Sequence, residues 1–488
     1  MTSSPDWLRH QADVHPDRPA LITPAGRWSF AELDARVGTV AASLSELGVT
    51  GGNRVAYLLP ATAEQVMLVH ALTRMGAVLV PLNTRLTPDE LAPILIDADP
   101  RLVIHDQSPL PAPPGVLSLS VREVLGGGAG RRPTGGRLRF DALHALVYTS
   151  GTTGRPKGVE LTIANQWWSA VGFALNGGLQ AQDRWLHVMP LFHVGGLTIL
   201  FRSVIHGSTV VLEPRFDAGR TYELMVQEEI TLVSVVPTMV HRLLALNKKA
   251  PSSLRLALLG GAPASIELLQ RARRQGYPVV PTYGMTETCS QVVTLDLDQV
   301  SERKASSGHP NLPTEIRIVR DGTDCAPEEL GEIWVKSPSV ARGYWRNPQA
   351  TAQAFADGWL KTGDIGFVDA DGYLTVTDRL KDLIVRGGEN VSPREVEDLI
   401  LSYPGVRDAA VFGLSHPEWG QIVAAALVTG TDVTLGPLRL FLSNHLASYK
   451  MPSVYFRLEE IPRNAGGKIL RTELLQLAQT MPRWVDSP

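Results

Sequence analysis

Cysteine is the scarcest residue in this chain: 488 residues contain only Cys289 and Cys325. Two distant thiols with no histidines at ligand spacing exclude a structural zinc site and point to a reducing compartment. A surplus of one charge is missing as well. The net charge is −3, so no basic excess argues for nucleic acid, and no acidic tail is present. Long apolar runs are absent; segments such as Met75 to Leu82 suit a buried strand and fall far short of the ~20 apolar residues of a membrane span. Met1 to Ala20 is polar, with Asp6, His10, Asp13 and His15, and has no apolar core of the secretory type. A cytoplasmic protein is expected. Solenoid-type repeats are absent too.

What is present describes a globular protein: 44% hydrophobic and 19% charged residues, in a chain long enough for two or more domains. Short apolar runs alternate with helical patterns from the start. Ser29 with Glu32 forms a capping box at a helix start. Asn53 to Leu59 is strand-like, Ala63 to Met75 helical, Gly76 to Pro81 strand-like, Pro88 to Ile96 helical, and Leu102 to His105 a further strand. This predicts a mostly parallel sheet covered on both faces. The prolines and the Gly126–Gly130 run within Gln107 to Arg137 predict a flexible connection. Alternation then resumes, with strands over 143–148, 186–191, 209–212, 232–236, 254–259 and 279–280, and a helix over 238–246. From Ile316 onward short strands at 316–319, 331–335 and 373–377 suggest a small β unit. The charged stretch Asp378 to Arg386 resembles a linker, and residues 382–488 suffice for a small α+β domain.

The densest functional signal is Tyr148-Thr149-Ser150-Gly151-Thr152-Thr153-Gly154-Arg155-Pro156-Lys157-Gly158. Glycines let a backbone wrap an anion, hydroxyls add neutral donors, and the lysine adds a point charge. A polyphosphate loop follows. It is not a Walker A loop, because Gly158 rather than Ser or Thr follows the lysine. Three other polar or glycine-rich stretches also follow strands: Phe192–Gly196, Gly260–Ala264 and Tyr283–Thr288. Ligands gather at strand ends in open parallel sheets.

Five stretches in order resemble the adenylate-forming enzymes: acyl-CoA synthetases, luciferases and peptide-synthetase adenylation domains. They are Tyr148–Gly158, Tyr283–Thr288, Lys361–Asp364, Asp378–Asn390 and Pro462–Lys468. The resemblance implies an α/β fold. A large N-terminal domain (1–380) of mostly parallel sheets, helices and a small β unit precedes a small mobile α+β C-terminal domain (381–488). It also implies that a carboxylate attacks the α-phosphate of ATP and that a thiol, usually coenzyme A, then displaces AMP. ATP, Mg²⁺ and coenzyme A are the implied cofactors and substrates, together with a small carboxylic acid. The implied roles place Thr149, Ser150, Gly151, Thr152, Thr153, Gly154 and Lys157 on the β- and γ-phosphates. Thr286 meets the α-phosphate, and Glu287 holds Mg²⁺. Gly260, Gly261, Ala262 and Tyr283 flank adenine, and Asp364 with Arg379 holds the ribose. Lys468 is the adenylation lysine, Lys381 the hinge, and Gly387 and Gly388 face the thiol.

Within that family the run Met189–Leu197, the context Arg202–Gly207 and Tyr283–Gln291 most resemble the 2-succinylbenzoate–CoA ligases of menaquinone biosynthesis. The resemblance implies that His193 is a catalytic residue at the acyl pocket and the thiol tunnel. A substrate with a second carboxylate wants a cation or several donors; Arg202 and Arg85 are the candidate cations, with Ser290, Ser306 and Ser307 as donors. An aryl or medium-chain fatty acyl-CoA ligase, a carrier-loading adenylation enzyme and a non-catalytic nucleotide sensor are the alternatives. A homodimer is compatible with the sequence.

Overall fold

The computed structural model describes residues 2–484 except 107–111, 127–135, 150–155, 181, 263–264, 302, 304–305, 380–381, 387–388, 418, 431, 447 and 465–466. For residues 301, 378–379, 385 and 389–390 only the backbone is described. The chain divides into two compact units. One comprises Met1–Gly260, Ile266–Ile316 and Val335–Lys361; the other comprises Gly261–Ser265, Arg317–Trp334 and Thr362–Pro488.

Local sequence explains the helices of the first unit. Ser29 accepts from the Glu32 amide and Glu32 reaches back, a capping box that starts Phe30–Glu46. Thr87 and Glu90 do the same for Pro88–Ala98. Ala63–Met75 ends where Gly76 adopts φ 68°, a left-handed stop that a side chain would resist.

Two large, mostly parallel sheets dominate the first unit, as expected, beside a two-stranded pairing of Ser3–Pro5 with Arg137–Arg139 among the described residues. The six-stranded sheet runs Lys157–Thr162, Leu143–Thr149, Val78–Pro81, Arg54–Leu58, Leu102–His105, Leu117–Ser120. Its strands are parallel except for the first pair, which is antiparallel. Val55, Ala56, Tyr57, Leu79, Val80, Val103 and Ile104 are fully buried, as expected for parallel strands covered on both faces. The nine-stranded sheet runs His309–Pro310, Ser290–Thr294, Val279–Met285, Leu256–Leu259, Leu232–Val235, Arg184–His187, Thr209–Leu212, Pro19–Thr23, Gly26–Ser29. Its centre is parallel and both edges are antiparallel.

The expected connection over 107–137 is partly built structure. Leu117–Ser120 extends the six-stranded sheet in parallel with Leu102–His105, and Val121–Gly126 is a short helix that buries Val121 and Val124. Proline and glycine content hid two buried valines and a Ser120–Glu123 cap. The glycine run beyond Gly126 lies outside the described residues.

In the second unit, Thr362–Val368 continues a strand that pairs antiparallel with Leu374–Arg379. A five-stranded sheet follows, with Gly420–Thr429 at its centre and Val406–His416 paired antiparallel along it as an edge strand. Alternation along Val406–His416 sends Ala409 and Val411 to one core, with Val396, Ile400 and Leu438. Ala410 and Phe412 go to another, with Phe456 and Leu474. The charged stretch 378–386, expected to be a linker, is strand at both ends: Asp378 and Arg379 finish one strand and Ile384–Arg386 forms the next.

Five histidines are buried with low pKa values. Burial holds His70 and His144 at about 3, and His187, His193 and His206 at about 4. Between those values and about 6.5, the unfolded chain binds protons that the folded chain does not. Stability therefore falls as pH drops through this window, by up to about 1.4 kcal/mol per histidine per pH unit. Melting temperature should be insensitive to these groups above pH ~7 and fall steeply between pH ~6.5 and ~5, which thermal unfolding followed by fluorescence would measure.

Candidate active site

The phosphate-loop stretch connects a β-hairpin. Leu143–Thr149 and Lys157–Thr162 pair antiparallel with Lys157 opposite Thr149 and Gly158 opposite Tyr148. Strand–loop–strand replaces the strand–loop–helix of a Walker motif. Ser150, Gly151, Thr152, Thr153 and Gly154 lie outside the described residues. Both ends of the loop are held. The Tyr148 ring lies against Gly158, where a Cβ would come 3.0 Å from the ring, and its hydroxyl donates to Asp97 at 2.6 Å. Burial first, then Asp97, pushes the Tyr148 pKa up, so the phenol keeps its proton.

A segment over 342–345 runs antiparallel beside the returning strand. The Glu160 amide donates to the Gly343 carbonyl, Arg342 donates to the Glu160 carbonyl, and Trp345 donates to the Gly158 carbonyl. Sequence reasoning passed over this segment. It brings Tyr344 to the site: the Lys157 ammonium sits 5.1 Å from the Tyr344 ring centre, and the Tyr344 hydroxyl donates to Glu287 Oε1 at 2.9 Å. The Ala341 amide donates to the Glu287 carbonyl at 2.7 Å.

Glu287 and Thr286 occupy a single tight turn. The strand Val279–Met285 runs through Tyr283 and Gly284, turns over Thr286–Thr288 and returns as Ser290–Thr294. Expectation ended that strand at Val280, short of the motif. The return is close: a Cβ on Gly284 would lie 2.1 Å from the Ser290 carbonyl oxygen. Cys289 and Ser290 take φ 53° and 86°, a left-handed conformation that costs non-glycine residues energy and clusters at functional sites. The buried Thr288 hydroxyl offsets the strain. It accepts from the Met285 amide at 2.8 Å and donates towards the Ser290 carbonyl at 2.7 Å. Thr288 stood inside the recognised motif without a role.

Glu287 fits Mg²⁺. That ion takes one or two carboxylates and fills its remaining positions with phosphate oxygens and water. Half-buried Glu287 accepts a hydrogen bond from the Tyr344 hydroxyl on Oε1, and among the described residues nothing bonds Oε2. No cluster of three or more potential ligands exists among the described residues, so this donor set suits a nucleotide-borne hard cation rather than an all-protein site.

Other nucleotide candidates follow local rules. The Gly260 amide donates to the Val235 carbonyl, and a Cβ there would meet the Thr282 hydroxyl at 2.9 Å. Gly261 takes φ 79°. Gly261 and Ala262 belong to the second compact unit, whereas Gly260 and the buried Tyr283 belong to the first. Asp364 is 4% exposed and is opposite Arg379 in the strand register; a 15-residue separation in sequence becomes a cross-strand pair. The Thr362 hydroxyl, which donates to the Ile333 carbonyl, also accepts from the Asp364 amide. Lys468 closes a tight loop: Asn464 Oδ1 accepts from its amide at 2.9 Å and its carbonyl accepts from the Asn464 amide at 2.8 Å. Lys381, Gly387 and Gly388 lie outside the described residues.

The acid-pocket candidates divide into two groups. His193 precedes the helix Val194–His206, whose first turn packs so closely that a Cβ on Gly196 would stand 2.3 Å from the Pro190 carbonyl. Its Nε2 is buried without a hydrogen-bond partner. Burial first, then the charge of nearby Arg85, lowers its pKa to about 4, so His193 is neutral at neutral pH. Arg85 itself is exposed.

Arg202 is different. It is 2% exposed, donates to Gln291 Oε1 at 2.9 Å and Ser169 Oγ at 2.8 Å, and stacks on Phe173 and Trp185. Its Nε is buried without a partner, and no carboxylate pairs with it among the described residues. Burial pulls its pKa down to about 10. Arg74, the other well-buried arginine among the described residues, bonds both Asp6 and Asp34. Ser290 joins the Arg202 group through Gln291 at 3.4 Å. Ser306 accepts from the Gly308 amide, and Ser307 is half-buried on the same loop. Sequence reasoning missed Ser169, whose only signal is its place on the Ile163–Gly177 helix, where it also donates to the Cys289 carbonyl.

A phosphate-type hairpin and acidic turn in the first unit, and separately a lysine-bearing loop in the second, are the parts of a nucleotide-activating enzyme. The AMP-binding enzyme model matches residues 8–345, the AMP-binding enzyme C-terminal domain model matches residues 395–468, and the chain belongs to this family. It is 42% identical to the 2-succinylbenzoate–CoA ligase of Bacillus subtilis (strain 168), over 97% of this chain and 98% of that one. It is also 42% identical to that of Geobacillus kaustophilus, over 98% of each chain. Among solved structures it is similar to o-succinylbenzoate CoA synthetase (MenE) from Bacillus subtilis with the acyl-adenylate OSB-AMP. The TM-score is 0.93 at 42% identity, covering 97% of this chain and 98% of that one. A Mycobacterium tuberculosis fatty acyl CoA synthetase gives 0.79 at 34% identity, covering 98% of both. No helix among the described residues is long and apolar enough to cross a membrane.

Gly284→Ala tests the tight turn. A methyl group 2.1 Å from a carbonyl oxygen forces the strands apart. The variant should lose most pyrophosphate exchange and several degrees of melting temperature, whereas Gly195→Ala, where a Cβ meets nothing within 4 Å, should retain both.

Proposed function

We propose that the chain is an AMP-forming acid–thiol ligase that converts 2-succinylbenzoate, ATP and coenzyme A to 2-succinylbenzoyl-CoA, AMP and pyrophosphate, a step of menaquinone biosynthesis. In the first half-reaction a carboxylate oxygen bonds to the α-phosphorus and the bond to the pyrophosphate oxygen breaks. In the second, the coenzyme A sulfur bonds to the acyl carbon, its proton leaves, and AMP departs.

Both half-reactions bring anions together, so preorganised positive charge and donors carry the catalysis. Thr149, Ser150, Gly151, Thr152, Thr153, Gly154 and Lys157 hold the β- and γ-phosphates, and Thr286 holds the α-phosphate. Glu287 holds Mg²⁺, which when bound offsets phosphate charge. Gly260, Gly261, Ala262 and Tyr283 frame adenine, and Asp364 with Arg379 anchors the ribose hydroxyls. Neutral His193 lines the acyl pocket near Arg85 without adding charge. The working division falls at the hinge Lys381, with 1–380 binding ATP and acid and 381–488 presenting first Lys468 and then Gly387 and Gly388. Two free cysteines and the use of ATP and coenzyme A suit the cytoplasm.

The observation that carries the choice of acid is Arg202, a buried cation whose neighbours are neutral. An unpaired buried charge is costly, whereas a carboxylate in bidentate contact repays it. The benzoate carboxylate of succinylbenzoate supplies that partner; a fatty acyl chain does not, which disfavours a medium-chain acid. Ser169, Gln291 and Ser290 orient the guanidinium.

Arg202→Met should raise the KM for succinylbenzoate by about 100-fold or more, the range of losing a buried charge pair, while the KM for ATP changes little. Melting temperature should hold or rise, because a methionine carries no charge to desolvate. With 3-benzoylpropionate, which lacks the ring carboxylate, the variant should match the parent protein. A KM change shared equally by ATP would remove Arg202 from the acid pocket.

Lys468→Ala should lower succinylbenzoyl-AMP formation by about 10²–10³-fold, the scale of one lost electrostatic contact. Thioester formation from supplied acyl-AMP should survive. Equal loss of both half-reactions would argue against the assigned role.

A further inference from the structure

Tyr344 belongs to no recognised stretch and touches both charged groups assigned to the triphosphate. Its ring carries the Lys157 ammonium at 5.1 Å from the centroid, within cation–π range. Its hydroxyl donates to Glu287 Oε1 at 2.9 Å. The ring is fixed from its own side of the fold. The Tyr344 amide donates to Thr351 Oγ1 at 2.9 Å, and Phe355 meets the ring at 5.7 Å. A Cβ on the preceding Gly343 would come 2.6 Å from Thr351 Cγ2, so this anchor tolerates no side chain there. Lys157 and Glu287 each meet Tyr344, the one its ring and the other its hydroxyl.

We propose that Tyr344 is a positioning residue for the metal–triphosphate complex: it separates Lys157 from Glu287 and turns the Glu287 carboxylate so that Oε2 faces the metal. The chemistry requires this separation. A lysine and a glutamate sharing a cleft collapse into a salt bridge unless something stands between them. That bridge would neutralise the anion meant for Mg²⁺ and the cation meant for phosphate. An aromatic ring attracts the ammonium with its face and cannot accept its proton. A phenol hydroxyl satisfies one carboxylate oxygen without removing its charge, and leaves the other to a hard cation. Partners that orient a metal ligand typically change metal affinity by about 10–100-fold when removed.

The inference rests on Glu287 as the metal ligand, and equilibrium binding separates the two claims. The intact protein is titrated calorimetrically with ATP, once with excess MgCl₂ and once with EDTA. Mn²⁺ binding in the presence of ATP is followed by electron paramagnetic resonance. No acid is present, so nothing turns over. Tyr344→Phe, which keeps the ring, should weaken MgATP and Mn²⁺ binding by about 10-fold or more and leave metal-free ATP binding within about 2-fold. Tyr344→Leu, which removes the ring, should weaken metal-free ATP binding as well, because Lys157 is then drawn onto Glu287. A merely structural tyrosine would shift melting temperature and leave the ratio of metal-bound to metal-free affinity unchanged. That outcome in Tyr344→Phe overturns the proposal. Glu287→Gln is the reference: if it changes the ratio and Tyr344→Phe does not, only the Tyr344 claim falls. If neither changes it, the assignment of Glu287 falls too.

Discussion

The backbone pairing of 158–160 with 342–345, continued by the Ala341 amide on the Glu287 carbonyl, is the contact on which the site depends. Three stretches far apart in sequence meet there: the phosphate-loop hairpin, the acidic turn and the tyrosine segment. Each carries backbone groups that would otherwise be buried without partners, and unpaired buried amides are costly. Satisfying them places Lys157, Glu287 and Tyr344 within one shell. The geometry of this cluster is therefore set by main-chain bonding before any side chain contributes.

Charge is managed in two ways on this scaffold. Arg74 is buried with Asp6 and Asp34 and closes the N-terminal helix onto the core, a pairing complete within the protein. Arg202 is buried as deeply with only neutral partners. The first is structure; the second, under the proposed function, is stability given up for recognition, since a hydrophobic replacement would ordinarily be neutral or better. The strained pair Cys289–Ser290 belongs to the same economy. Left-handed backbone at two non-glycine residues holds Glu287 on one side and leads into Gln291, the partner of Arg202, on the other. Under the proposed function, one turn thus joins the nucleotide side to the acid side.

Much of the fold was legible because local rules and burial agreed. The helix Ala63–Met75 and the strands Leu102–His105 and Thr209–Leu212 follow from periodicity, and the helix Phe30–Glu46 from its capping box. The edge strand Leu117–Ser120 was hidden by flanking prolines and glycines. The helix at Val194–His206 was hidden by the Gly195-Gly196 pair, which is present for close packing rather than as a breaker. Compositional signals fail where glycine serves contact instead of flexibility.

The sequence by itself determined the nucleotide chemistry. The phosphate loop, Glu287, Asp364 and Lys468 stand in short motifs, and a motif's identity survives without knowing what it touches. Only the tertiary structure decided which polar residues are buried and what each of them touches. Arg202, Arg74 and Arg85 are indistinguishable as letters; burial and partners separate them. The same holds for Tyr344, whose meaning lies in two contacts, one 187 positions and one 57 positions away in the chain. Long-range partnership leaves no trace in local pattern, because the chain statistics that encode helices and strands extend over only a few turns.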